Sequence, residues 1–430
     1  MDITTVIGEI MKKMKLSSRA KHAVMIGALC SVSYLAVYIA RNILGAVTPQ
    51  MIENGFLESN IGAISSSYFI TYAIGQLING AIGDKIKARY MICMGLFFAG
   101  IANILFPIFA EDQTVAIAIY ASSGFFLAMI YGPMTKLVSE NTDPIHATRC
   151  SLGYTFASFI GSPAAGILAS FLTWKSVFIA GSIALIAMAV VAFCCFLLME
   201  RKGIIKYGQY KREKQKGGSF KELFRRRIIK FSLISILTGI IRTSVIFWLP
   251  TYIAQYLNFA PEKAAGIYTV ATLFIATTAF ISVFVYERLK RNMNLTILIM
   301  FSISTLMFLG VYLVRQPVIN VIFMVLAIMS SNAAATMLWS RYCPSLYDTG
   351  MVSSVTGFLD FLSYMAAAFA NLVFANAVTG IGWSNLILVW MGIVGLGLIV
   401  ALPYRKMFKK FSKRRTDNVG SKNTAAADEW

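Results

Sequence analysis

Long apolar runs dominate the chain, and short polar stretches interrupt them at nearly regular intervals. A helix that crosses a bilayer needs about 20 mostly apolar residues. Runs of that kind lie near residues 23–46, 60–83, 90–111, 115–138, 150–173 and 176–199. A second set lies near 229–256, 264–286, 294–313, 316–340, 351–377 and 382–404. Between the sets, residues 200–227 are hydrophilic and carry a dense series of lysines and arginines, among them Arg201, Lys202, Lys211, Arg212, Arg225, Arg226 and Arg227. The pattern predicts an all-α membrane protein of twelve transmembrane helices in two six-helix bundles. It divides the chain into a lead-in (1–22), a first half (23–199), a basic linker (200–227), a second half (228–404) and a tail (405–430).

Loop charge predicts the orientation. Lysine and arginine concentrate in short loops on the cytoplasmic side of a membrane. Here every second loop is basic, through Lys85, Lys87 and Arg89, then residues 136–149, the central linker, and Arg288, Lys290 and Arg291. Both ends of the chain are basic as well, while Glu53, Glu58, Glu111 and Asp112 fall on the other side. Both termini are therefore expected in the cytoplasm, with the protein in a bacterial inner membrane. The N-terminal stretch is interrupted by Glu9, Lys12, Lys13 and Lys15 and does not read as a secretory signal.

Composition narrows the classes further. Hydrophobic residues make up 57 % of the 430 positions and charged residues 13 %, with mean hydropathy +0.69. A soluble domain carries about 25 % charged residues. The net charge of +20 sits in loops between apolar runs, so it fits anionic lipid headgroups and not nucleic acid. The six cysteines have no spacing that suits zinc or a disulfide framework. His22 and His146 stand at predicted loop edges and offer no metal set. No Gly-x-x-x-x-Gly-Lys-Ser/Thr segment is present, which argues against the usual ATP-driven pump. Nothing calls for an enzyme or a cofactor.

The two halves repeat. Arg41 precedes Pro49 by eight residues, and Arg242 precedes Pro250 by eight. Farther on, Asp84-Lys85 closes the second span and Glu287-Arg288 closes the eighth, at nearly equal distances from the two arginines. Internal symmetry of this kind is expected of secondary transporters, whose site lies between the repeats near the midplane. Two six-span halves, a basic linker and the turn Gly80-x-x-x-Asp84-Lys85-x-x-x-Arg89 resemble the major facilitator superfamily. That resemblance implies that the turn stabilises one conformational state. Gly80, Asp84, Lys85 and Arg89, with Glu287 and Arg288 in the second half, are the expected latch.

Arginines inside spans are expensive and usually face a cavity or a partner. In the architecture so implied, the first spans of both halves line the central cavity, and two guanidiniums there repel unless an anion lies between them. Arginine's planar fork suits phosphate. Tyr34, Tyr38 and Arg41 share one helical face, and Tyr68, Tyr72 and Gln76 form a second polar stripe. The alternative is that each arginine pairs with a carboxylate in its own half, for which Asp360 is the one obvious intramembrane candidate.

Tyr34-x-x-x-Tyr38-x-x-Arg41-Asn42 and Arg242-x-x-x-x-x-Trp248-x-Pro250 make the chain resemble the organophosphate:phosphate antiporters over most of its length. The resemblance implies that Arg41 and Arg242 bind a phosphoryl group. It also marks departures. Gln76 stands where the glycerol-phosphate exchanger has a cavity lysine, Ser158 falls where the family has a histidine, and Phe361 falls where it has a cavity tyrosine, with Asp360 an extra acid beside it. Asp360 reads as a ligand for a substrate hydroxyl or amine, a proton-coupling group, or a structural partner. The expected substrate site is Arg41, Arg242, Tyr34, Tyr38, Gln76, Ser158 and Asp360. The expected activity is exchange of an organophosphate for inorganic phosphate by a monomer working through alternating access. A proton-coupled symporter of an organic carboxylate or sugar acid, and a non-transporting organophosphate sensor, are the alternatives.

Overall fold

The computed structural model describes residues 18–83, 86–207, 220–349 and 352–402. The described chain contains twelve helices long and apolar enough to cross a membrane. In the first half these are α1 (Ser18–Glu53), α2 (Glu58–Gly83), α3 (Ala88–Phe109), α4 (Gln113–Asn141), α5 (Pro144–Phe171) and α6 (Trp174–Arg201). In the second half they are α7 (Ile228–Gln255), α8 (Pro261–Arg288), α9 (Met293–Leu313), α10 (Pro317–Leu346), α11 (Ser354–Gly380) and α12 (Gly382–Ala401). No strand occurs among the described residues. A short helix, Phe220–Arg225, precedes α7. Residues 1–17, the middle of the linker, the latch residues Asp84 and Lys85, and the tail expected over 405–430 lie outside the described residues.

Local chemistry sets the helix ends. Asp112 Oδ1 accepts from the backbone N–H groups of Thr114 and Val115, which caps α4, and Asn292 and Gln316 do the same for α9 and α10. Hydrophobic residues such as Ile108, Phe171, Phe280 and Phe369 are exposed on the outer faces, as lipid contact requires. α1 and α7 depart from the sequence pattern, and α10 carries a π turn at Leu338–Tyr342. α1 continues through Pro49 to Glu53, beyond the expected end near residue 46. Proline removes only one backbone donor, the one that would serve the Gly45 carbonyl, and a membrane helix tolerates that loss. α7 contains a π turn over Ile240–Val245, with Arg242 inside it. Such a turn inserts an extra residue and rotates the helical face beyond it, and it occurs mostly at functional sites.

Three seams join the halves: α1 with α7, α2 with α11, and α5 with α8. Their closest approaches lie toward the end of the bundle away from the basic loops. A side chain at Gly62 would collide with Ala375 and the Asn371 carbonyl, and one at Gly166 would collide with Thr269 and Tyr268. Small residues at these places let helix backbones touch where lipid supplies no hydrophobic drive. Hydrogen bonds cross the same seams. Ser66 Oγ donates to the Ala368 carbonyl at 2.5 Å, Asn371 Nδ2 to Ser65 Oγ at 2.9 Å, and Gln255 Nε2 to Glu58 Oε1 at 2.9 Å.

Candidate functional site

The site forms where α1, α2, α7 and α11 meet. Tyr34, Tyr38 and Arg41 project from one face of α1, as helical spacing dictates. Arg41 Nη1 donates to the Tyr364 hydroxyl on α11 at 3.0 Å. Its guanidinium also lies over four rings, at 4.7 Å from Tyr364, 5.0 Å from Tyr72, 5.2 Å from Tyr38 and 5.3 Å from Phe69. Aromatic faces attract a cation, and more strongly when water is excluded. Among the described residues Arg41 makes no ion pair.

Arg242 is held differently. Its Nη2 lies 3.7 Å from Asp360 Oδ1 and 3.4 Å from Ser363 Oγ. The Trp339 and Tyr364 rings lie 5.9 and 5.8 Å from its guanidinium. The Arg242 and Asp360 side chains remain 32 % and 26 % exposed, so neither is sealed off from the space between the halves. The Gln76 amide, from the other half, lies beside the Asp360 carboxyl. The two guanidiniums stand within electrostatic reach of each other. Two cations and one carboxylate leave one net positive charge, in a space where a low dielectric magnifies it.

Tyr364 joins the two sides, and the sequence reading did not single it out. It lies one helical turn after Asp360, on the same face of α11, which is the signal that points to it. It is 4 % exposed, packs against Tyr72 at 5.1 Å and Phe69 at 6.2 Å, and contacts both arginines. Phe361, where the family resemblance places a cavity tyrosine, packs against the hydrophobic core. Tyr68 Oη is buried without a hydrogen-bond partner, one turn before Tyr72 in the same stripe.

Of the expected site residues, the structure gathers Arg41, Tyr38, Arg242, Asp360 and Gln76. Tyr34 lies one layer away, in a tyrosine cluster with Tyr38, Tyr131 and Tyr154 at 4.9, 5.5 and 6.1 Å. The Ser158 hydroxyl donates to the Thr155 carbonyl of its own helix at 2.6 Å.

Gly80 lies in the last turn of α2, and Asp84 and Lys85 are outside the described residues. The rest of the expected latch is split between the halves. Arg89 Nη1 meets Glu200 Oε2 at 2.8 Å, and Tyr207 donates to Glu200 Oε1 at 2.7 Å. Burial and the Glu200 carboxylate push the Tyr207 phenol well above its ordinary value. Arg89 thus staples α3 to the end of α6 within one half. Glu287 and Arg288 are exposed at the end of α8. No cluster of metal-ligating side chains occurs among the described residues.

Comparison with known proteins agrees with this architecture. A glycerol-3-phosphate transporter of Bacillus subtilis is 22 % identical over 384 residues, covering 82 % of this chain and 86 % of the relative. The membrane sensor protein UhpC of Escherichia coli is 32 % identical over 94 residues, covering 22 % of this chain and 21 % of the sensor. The crystal structure of a D-xylose-proton symporter superposes with a TM-score of 0.67 at 11 % identity, over 88 % of this chain and 96 % of the symporter, a likeness of fold alone. The family model of the Major Facilitator Superfamily matches residues 30–371, and with twelve membrane-length helices in two halves that meet at a shared polar site, the chain belongs to that family.

Proposed function

We propose that this protein exchanges an organophosphate for inorganic phosphate across the bacterial inner membrane, as a monomer, by alternating access. The observation that carries the reading is the convergence of Arg41 and Arg242, one from each half, on Tyr364. A phosphoryl group between the two forks would accept hydrogen bonds from both and remove their repulsion. The Tyr38, Tyr68 and Tyr72 hydroxyls stand ready as further donors. The whole-length likeness to a glycerol-3-phosphate transporter supports the phosphate end of the reading. Gln76 and Asp360 face the remainder of the cargo, so its identity differs from the relative's wherever those groups touch it.

Alternating access follows from the seams. With the basic loops in the cytoplasm, the glycine-lined contacts close the outer side and the site opens inward. An anion that bridges Arg41 and Arg242 pulls the halves together on the inner side, and the outer seams then part. The basic inner ends suit anionic lipid. Arg225, Arg227 and Lys230 border a cleft of about 460 Å³ whose other walls include Phe224, Ile229 and Leu233, a pairing of charge and apolar surface that fits a headgroup with its chain.

The test is counterflow of labelled phosphate in proteoliposomes. Phosphate on the far side should accelerate uptake, and Arg41→Lys should cut the counterflow by roughly 10- to 100-fold. Transport that ignores phosphate, or that Arg41→Lys leaves unchanged, would sink the reading. The local likeness to a membrane sensor favours one other outcome: phosphate ester binding with no flux under any gradient would mark a sensor.

A further inference from the structure

We infer that Asp360 is a resident counter-anion that lets the carrier return without cargo, so that the protein performs net uniport of its anion in addition to exchange. The inference rests on the proposed anion site and concerns what happens when that site reorients unloaded. A carrier whose site holds only bare cations is trapped by them. Closing the walls strips water from each guanidinium, and desolvation of an unpaired charge is prohibitive. Such a protein moves only when an anion rides along, and its transport is strictly one for one.

Here both arginines have partners that belong to the protein. Asp360 Oδ1 stands 3.7 Å from Arg242 Nη2, on a side chain open to the space between the halves. Gln76 of the opposite half lies beside its carboxyl, so the carboxyl sits between α2 and α11, whose inner ends must close for reorientation. Arg41 has four aromatic faces around it and the Tyr364 hydroxyl as acceptor. Those neutral partners do not leave with the cargo. The Arg242–Asp360 contact is longer than the 2.7–2.9 Å of a tight charge-assisted hydrogen bond. An entering phosphoryl group, which can meet the guanidinium with two parallel bonds, displaces it readily. Loaded, the arginines face phosphate; unloaded, Arg242 faces Asp360 and Arg41 faces its rings. Both forms can close.

The experiment measures two fluxes on one preparation. Proteoliposomes are filled with labelled inorganic phosphate, with the membrane potential clamped by potassium and valinomycin. Release is followed into medium with phosphate (exchange) and without it (net efflux). The wild-type protein should show net efflux within roughly tenfold of exchange, and Asp360→Asn should lower the net-to-exchange ratio by about tenfold or more, whatever its absolute rates. Asp360→Glu, which keeps the charge, should restore the ratio. A carboxylate with a purely structural role would depress both fluxes together and leave the ratio intact, which would overturn the inference. Wild-type release that requires external phosphate would overturn it too while leaving the exchange reading standing. Absence of both fluxes would remove the phosphate reading and this inference with it.

Discussion

Arg41 and Arg242 occupy equivalent places in the two halves, yet the protein stabilises them by different means. Arg41 lies on a regular helix inside a box of Tyr38, Phe69, Tyr72 and Tyr364. Arg242 lies on a π turn beside a carboxylate. The first arrangement shields a charge with polarisable surface and engages one guanidinium nitrogen with the Tyr364 hydroxyl. The second balances a charge with a charge and makes the balance movable. In the proposed site, Arg41 is a fixed anchor and Arg242 a switchable contact.

The largest test of this contrast replaces each arginine by lysine. A lysine keeps the charge but loses the fork, and a charged hydrogen bond is worth about 1.5–3 kcal/mol, so phosphate counterflow should fall by roughly 10- to 100-fold in either variant. Equal losses mean that both arms grip the same anion. A loss confined to Arg242→Lys would break the comparison and reduce Arg41 to a packing element.

The halves also differ at their basic ends, and there the readout is stability. Glu200 holds Arg89 and Tyr207, whereas Glu287 is exposed. Glu200→Gln should destabilise the purified protein by about 1–3 kcal/mol, seen as a lower Tm. Glu287→Gln should leave Tm nearly unchanged. Equal effects would mean that the staple in the first half contributes nothing particular.

Two milder variants sharpen the picture of the aromatic box. Tyr364→Phe keeps the ring and removes the acceptor for Arg41, which at about 1 kcal/mol should raise the KM for phosphate roughly fivefold. Tyr72→Leu removes one cation–π face, and at about 0.5–1 kcal/mol the KM should rise by roughly two- to fivefold. An unchanged KM in both would show that the rings only fill space.

Much of this was legible along the chain because a bilayer imposes blunt rules. Each span must be long and apolar, so twelve helices and the basic linker could be read directly. An arginine in such a span stands out against its surroundings, and so does an aspartate. Tyr364 did not stand out, because tyrosine is ordinary in membrane helices and acquires meaning only from the two guanidiniums that flank it. Arg89 was read with its neighbours in the turn, whereas its partner Glu200 lies at the far end of the same half.

The sequence by itself determined the helix count, the twofold repeat and the two intramembrane arginines in register, since each follows from residue type and spacing. The tertiary structure decided that Asp360 faces Arg242, that Gln76 reaches Asp360 from the other half, and that Arg41 sits among rings. Gln76 with Asp360 and Arg41 with Tyr364 join residues hundreds of positions apart across the seam between the halves, and Arg242 meets Asp360 across two helices of one half. Hydropathy and helical periodicity act along one helix, and they carry no information about which face of another helix it will meet.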